Sequence, residues 1–100
     1  MAKKERILFD KTEIVAVVVN GKSVQVLNLT YDKIVSIQFD KAVARGLFGS
    51  KPSEKITITV RGREAPVVYL KHKEGDFFEG YKAGLAKFAK DNKISFHDGL

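Results

Sequence analysis

Asp76-Phe77-Phe78-Glu79-Gly80-Tyr81-Lys82-Ala83-Gly84-Leu85-Ala86-Lys87-Phe88-Ala89-Lys90 is the stretch on which the fold turns. Phe77, Phe78, Tyr81, Leu85, Phe88 and Ala89 recur at spacings of three and four, which lays one apolar stripe along a helix, with Glu79, Lys82, Lys87 and Lys90 off it. Asp76 and Glu79 have the spelling of a capping box, so the helix is expected over about 76–91, with Asp91-Asn92 closing it and Ile94-Ser95-Phe96 following as a short extended tail. Burying a large aromatic side chain is worth roughly 1.5–3 kcal/mol, which makes this stripe a main anchor of the fold.

Upstream of Gly75 the pattern is that of strands. From Ile7 to Lys71 β-branched residues dominate and few stretches repeat at helical spacing. Glu13 to Val19 and Ser23 to Leu29 flank Asn20-Gly21, a dipeptide suited to the positive φ values of a type I′ turn, and read as a hairpin. Lys33 to Phe39 alternates Val35, Ile37 and Phe39 against Ile34, Ser36 and Gln38, and Ile56, Ile58 and Val60 alternate with Thr57 and Thr59. Each is a strand with one buried face. Arg61-Gly62-Arg63-Glu64-Ala65 reads as a hairpin connection into a strand from Pro66 to Lys71, where the proline suits a strand start or an edge. Asp40 to Glu54 is long for a plain loop, and a short strand around Ala42 to Phe48 is expected within it. With Ile7 to Phe9 the count reaches six to seven antiparallel strands, a mainly β domain with one C-terminal α-helix.

Composition narrows the chemistry. The chain of 100 residues is sized for a single domain over 1–100, and 44% hydrophobic with 30% charged residues is the balance of a globular protein, not a disordered tail. Without cysteine there are no disulfides, thiolate metal sites or thiol nucleophiles. The longest apolar run, Ile14 to Val19, is far short of the roughly 20 residues of a membrane-spanning helix. Only Ile7, Leu8 and Phe9 follow the basic start, too few for the core of an export signal, so the chain is read as soluble and cytoplasmic.

Short strands ending in one amphipathic helix resemble the pleckstrin-homology-like (PH-like) architecture, in which two nearly orthogonal sheets form a barrel or sandwich capped by the helix. Tyr31-Asp32-Lys33-Ile34-Val35-Ser36-Ile37 and Arg45-Gly46-Leu47-Phe48-Gly49, followed by the strand Lys55 to Val60, are similar to small bacterial members of that superfamily. The resemblance implies a binding module. Lipid-binding members gather Lys and Arg around the first hairpin, whereas the first two connections here supply only Lys11 and Lys22.

No catalytic set emerges. Five serines and two histidines lie outside any Gly-x-Ser-x-Gly elbow, so no enzyme activity, catalytic residue or cofactor is assigned. His72, between Lys71 and Lys73, reads as a solvated strand end, and His97 as part of a mobile tail; their spacing fits no metal motif. Gly46-Leu47-Phe48-Gly49-Ser50-Lys51 lacks both the spacing and the following helix of a phosphate loop. Leu47 and Phe48 are either loop-tip contacts for a partner or a membrane, or a plug for an open end of the barrel. The plug is preferred, since large exposed apolar patches are uncommon on monomers.

Charge is the remaining signal. The net charge is +6, yet residues 1–40 carry +1, residues 41–63 carry +5 and residues 64–100 are neutral. Lys41, Arg45, Lys51, Lys55, Arg61 and Arg63 form the candidate anion or partner surface, if they share a face. An acidic protein or an anionic surface is the expected partner. The alternatives are self-association by strand-edge pairing and weak nucleic-acid binding, the last disfavoured because only Phe48 offers a stacking ring among those cations.

Overall fold

The computed structural model describes residues 5–46 and 49–100, so Leu47 and Phe48, the candidate loop contact, lie outside the described residues. Strand accounts for 55% of the structure. The order is β1 (Ile7–Phe9), β2 (Glu13–Asn20), β3 (Ser23–Thr30), a 3-10 turn (Tyr31–Lys33), β4 (Ile34–Gly46), β5 (Gly49–Val60), β6 (Val67–Leu70), α1 (Lys71–Glu74), α2 (Phe77–Asn92) and β7 (Ser95–Asp98). One sheet runs β1-β2-β3 and the other β6-β5-β4-β7. They face each other without closing into a barrel, and α2 caps the space between them.

The β2–β3 hairpin forms as expected, with its turn shifted by one residue. Asn20 ends β2 opposite Ser23, leaving Gly21-Lys22 as the loop. Gly21 has φ 63°, and Lys93 is the one described non-glycine residue with positive φ. Positive φ at the first loop position alone is the type II′ pattern, which wants glycine there. Ile14, Ala16 and Leu29 face inward, while Val19, Val24 and Val26 are exposed on the outer face.

β4 departs from simple alternation. A register shift between Ile34 and Ser36 buries Ile34 and turns Val35 outward at 47% exposure, after which Ile37 and Phe39 face the core. A bulge adds one residue to a strand and reverses its alternation from that point, a change that polar–apolar counting does not register. The short strand expected over Ala42 to Phe48 is not separate: β4 continues to Gly46 and β5 begins at Gly49, so the long connection is two arms of one hairpin. The seventh strand is instead the C-terminal tail, ordered as β7 beside β4 and parallel to it, so the sheet is not wholly antiparallel and the helix is not the last element.

α2 buries the stripe read from the sequence: Phe78, Tyr81, Leu85, Phe88 and Ala89 are in the core and Phe77 packs at its margin. The capping box is absent. Gly75, with φ 63° and ψ −133°, turns the chain from α1 straight into α2, leaving Asp76 helical (φ −64°, ψ −19°) with no side-chain cap. An N-cap carboxylate needs an extended backbone to reach back, and Asp76 lacks it. At the other end Lys93 is left-handed and its N–H reaches Ala89 O and Lys90 O, while Ile94 N–H donates to Ala89 O at 2.9 Å, a Schellman closure.

Gly84 is where β1 meets this helix. A Cβ there would lie 2.6 Å from Cε2 and Cζ of Phe9, a residue 40% exposed. Alanine favours a helix over glycine by about 0.8–1 kcal/mol, but the ring must then leave its seat and forfeit roughly 1–2 kcal/mol of burial. Gly84→Ala is expected to destabilise the protein by about 0.5–1 kcal/mol, and to stabilise it by about 1 kcal/mol once Phe9 is alanine. Thermal melts of the four-member cycle check this, and the same sign in both backgrounds would refute the contact.

Candidate partner-binding arm

β4 and β5 outrun both neighbours. β7 stops at Asp98 opposite Phe39, and β6 stops at Leu70 opposite Lys55. Beyond these points residues 40–46 and 49–54 pair only with each other, as a ribbon about 24 Å long at strand rise. The last core residues on its two strands are Phe39 and Ile56, directly opposed. The elongated molecule, 42 × 30 × 27 Å, is consistent with this projection.

Strand alternation sorts the arm's cations. From Phe39 and Ile56 outward, Lys41, Val43 and Arg45 share the core-side face with Glu54, Pro52 and Ser50, while Lys51 and Lys55 share the other with Asp40, Ala42 and Ala44. Arg61 and Arg63 are not in the arm. They occupy the β5–β6 connection, ten strand residues or roughly 33 Å from Lys51. There Arg61 Nε donates to Asp32 O at 3.4 Å, and Arg63 donates to Ala65 O at 3.1 Å and to Gln25 Oε1 at 3.3 Å. The six cations therefore split into three on the arm (Lys41, Arg45 and Lys51), Lys55 at its root where β6 still pairs, and an end pair of two.

Glu54, the one acid among residues 41–63, is already occupied. It accepts from Lys82 Nζ at 2.7 Å and from Lys71 Nζ at 3.2 Å, and Glu79 accepts from the same lysines at 2.9 and 3.5 Å. The hydrogen bond from Lys82, ahead of that from Lys71, holds the Glu54 carboxyl below the usual carboxylate range, and the bonds to Glu54 push both lysines up. This network ties the root of the arm to α1 and α2. Because its lysines come from outside the arm, it leaves Lys41, Arg45, Lys51 and Lys55 in no ion pair among the described residues. An open cleft of about 680 Å³ runs along the arm, lined by Lys41, Ala42, Val43, Ser50, Lys51, Pro52, Ser53, Glu54 and Leu100.

The Glu79–Lys82 spacing is a helical i, i+3 pair readable in the sequence, but its partner Glu54, on a strand, is not. Another polar set escaped sequence reading altogether. Arg6 Nη1 donates to buried Glu74 at 3.2 Å, Tyr81 Oη accepts the Arg6 N–H at 2.6 Å, and Tyr69 donates to Val17 O at 3.0 Å. These residues knit β2, β6, α1 and α2 to the chain entering β1 and form a structural seam.

His72 lies in α1 rather than at a strand end, exposed, with Nδ1 3.4 Å from Ser53 Oγ. His97, expected in a mobile tail, is in β7. Among the described residues no group of three His, Asp or Glu side chains is placed to share a metal ion, and no helix is long and apolar enough to cross a membrane. Compared with protein-family models, curated proteins and solved structures, the chain matches none of them.

Proposed function

We propose that this chain is a non-enzymatic, cytoplasmic binding module of PH-like architecture that uses the β4–β5 arm to hold an acidic protein segment. One observation carries the reading: Lys41, Arg45 and Lys51 project on a two-stranded ribbon with Lys55 at its root opposite Asp40, and none of the four is in an ion pair among the described residues, the only nearby glutamate being held by lysines of the helices. Cations so placed retain their full attraction for an incoming polyanion. Both edges of the ribbon offer backbone groups, and the cleft beside it has apolar walls in Val43 and Pro52, so an extended peptide with acidic side chains fits better than a flat surface. The PH-like assignment rests on the two facing sheets and the capping helix; the parallel strand after the helix is a feature of this chain.

The test is fluorescence anisotropy with a labelled polyglutamate peptide, beside sedimentation with phosphatidylserine vesicles and a gel shift with duplex DNA. Changing Lys41, Arg45, Lys51 and Lys55 together to Gln is expected to weaken peptide binding at least about tenfold, which is 1.4 kcal/mol spread over four charges. Changing Arg61 and Arg63 to Gln is expected to leave it within about twofold. Equal loss in the two variants, or none in the first, refutes the arm. Binding to vesicles or DNA in preference to the peptide replaces the acidic segment with that partner.

A further inference from the structure

We infer that two copies of this chain pair through the free edge of β3, antiparallel about a two-fold axis, to make one continuous six-stranded sheet. β3 ends its sheet and keeps unbroken register with β2 from Ser23 to Thr30. Backbone parity shows which groups are unused. Tyr31 N–H goes to Thr12 O, so odd-numbered β3 residues bond to β2, and the N–H and C=O groups of Val24, Val26 and Asn28 point out of the sheet. Ser23 to Val26 and Asn28 are exposed.

Sheet edges invite pairing, and proteins blunt them with shortness, charge, proline or bulges. Every other described edge carries such a guard. β1 has three residues, β6 has four and follows Pro66, β7 has four and includes Asp98, and the arm displays Lys41, Arg45, Lys51 and Pro52. β3 has eight residues and none of these devices. The occupant is a second copy because the strand is uncharged. Two molecules of charge +6 repel over most of their surfaces, and this strand carries no charge of its own, Arg63 meeting it only at Gln25 on the face opposite Val24 and Val26, so approach here is least opposed. A two-fold axis normal to the sheet sets even-numbered residues against even-numbered ones, as with Val26 against Val26, so the outward groups meet. It also joins the exposed valines at 24 and 26 of both copies into one apolar band with Val19 and Leu8. The shared strip is about 27 Å long and about 10 Å thick, roughly 300 Å² per copy. That is well under the about 800 Å² per partner of a standard stable interface, so the dimer is reversible.

Sedimentation equilibrium up to about 1 mM protein, in about 0.1 M and about 0.5 M salt, tests this. Association is expected to rise with concentration and with salt, since screening relieves the repulsion between copies, whereas arm binding to an acidic peptide falls with salt. Val26→Lys, at a position 59% exposed, is expected to weaken association at least about tenfold with an unchanged circular dichroism spectrum. Asn28→Lys does the same should the first variant misfold, and Val68→Lys on β6 leaves association unchanged. A monomer at about 1 mM in about 0.5 M salt, or a dimer indifferent to lysine at 26 and 28, overturns the inference.

Discussion

Phe78→Ala will lower the midpoint of thermal unfolding by about 15–30 °C, the largest effect expected of any single substitution here. Phe78 is wholly buried where α2 closes the two sheets, beside Tyr81 and Leu85 on the same stripe. Truncating a buried phenylalanine typically costs about 3–5 kcal/mol, because lost transfer energy is joined by the cavity left behind. In a domain this size each kcal/mol moves the midpoint by about 4–8 °C, and total stability is only about 5–15 kcal/mol, so the variant keeps a fraction of its margin. The Lys82 ammonium, 5.8 Å from the ring centroid, loses an aromatic face as well. Phe77→Ala is the control: half-buried and stacked on Tyr81 at 6.3 Å, it is expected to cost about a third as much. Differential scanning calorimetry separates the two, and a shift below about 5 °C for Phe78→Ala would mean the helix does not anchor the sheets.

That helix was readable because its six apolar positions obey one period over four turns, which a strand cannot mimic. The β2–β3 hairpin was readable from Asn20-Gly21 between two apolar-rich runs, and β4 and β5 of the second sheet from alternation at period two. What escaped were features that local pattern does not encode. The bulge at Ile34 to Ser36 reverses alternation without altering composition. The capping box failed because Gly75, the first of the two residues between α1 and α2, sets the entry geometry rather than Asp76. β7 was unreadable as a parallel strand since its partner, β4, is nearly sixty residues earlier and its four residues are all exposed. Non-local pairing of a short polar strand leaves no periodic mark.

The candidate site was legible as a density of charge and illegible as a shape. Counting along the chain placed six cations in one window, but β5 is long enough to carry Lys51 and Arg61 to opposite ends of the molecule. Sequence proximity on a strand is extension in space. Alternation then divides Lys41 and Arg45 from Lys51 and the root residue Lys55 on the other face, so a partner must wrap the ribbon rather than rest on it. The capture of Glu54 by Lys71 and Lys82 depends on α1 and α2 returning to the root of the arm, a tertiary event with no local signature.

Tyr69→Phe carries the second large expectation, and its sign depends on pH. The Tyr69 hydroxyl is buried at 3% residue exposure and donates to Val17 O at 3.0 Å, with its ring 5.9 Å from that of Tyr81. At pH 7 the phenylalanine variant leaves the part-buried Val17 carbonyl without this donor, which costs about 1–2 kcal/mol, or about 5–15 °C. Burial, and then the charge of Glu74, push the Tyr69 phenol well above its ordinary value. The unfolded chain releases this proton near pH 10 while the folded chain still holds it, so the unfolded state binds fewer protons and stability declines as pH rises from about 10 toward the raised folded value. The decline approaches 1.4 kcal/mol per pH unit, at about the limit for one group, and Tyr69→Phe lacks it. The bonds from Lys71 and Lys82 to Glu54 also fade as pH climbs through their raised values, but equally in both proteins, so the difference isolates the phenol. The native protein is therefore expected to be the more stable at pH 7, to lose its lead near pH 11, and to be the less stable by pH 12, each by about 1 kcal/mol. Urea unfolding of both proteins across that range measures the crossing, and a gap that stays constant from pH 8 to pH 12 would show that Tyr69 is hydrated in the folded state.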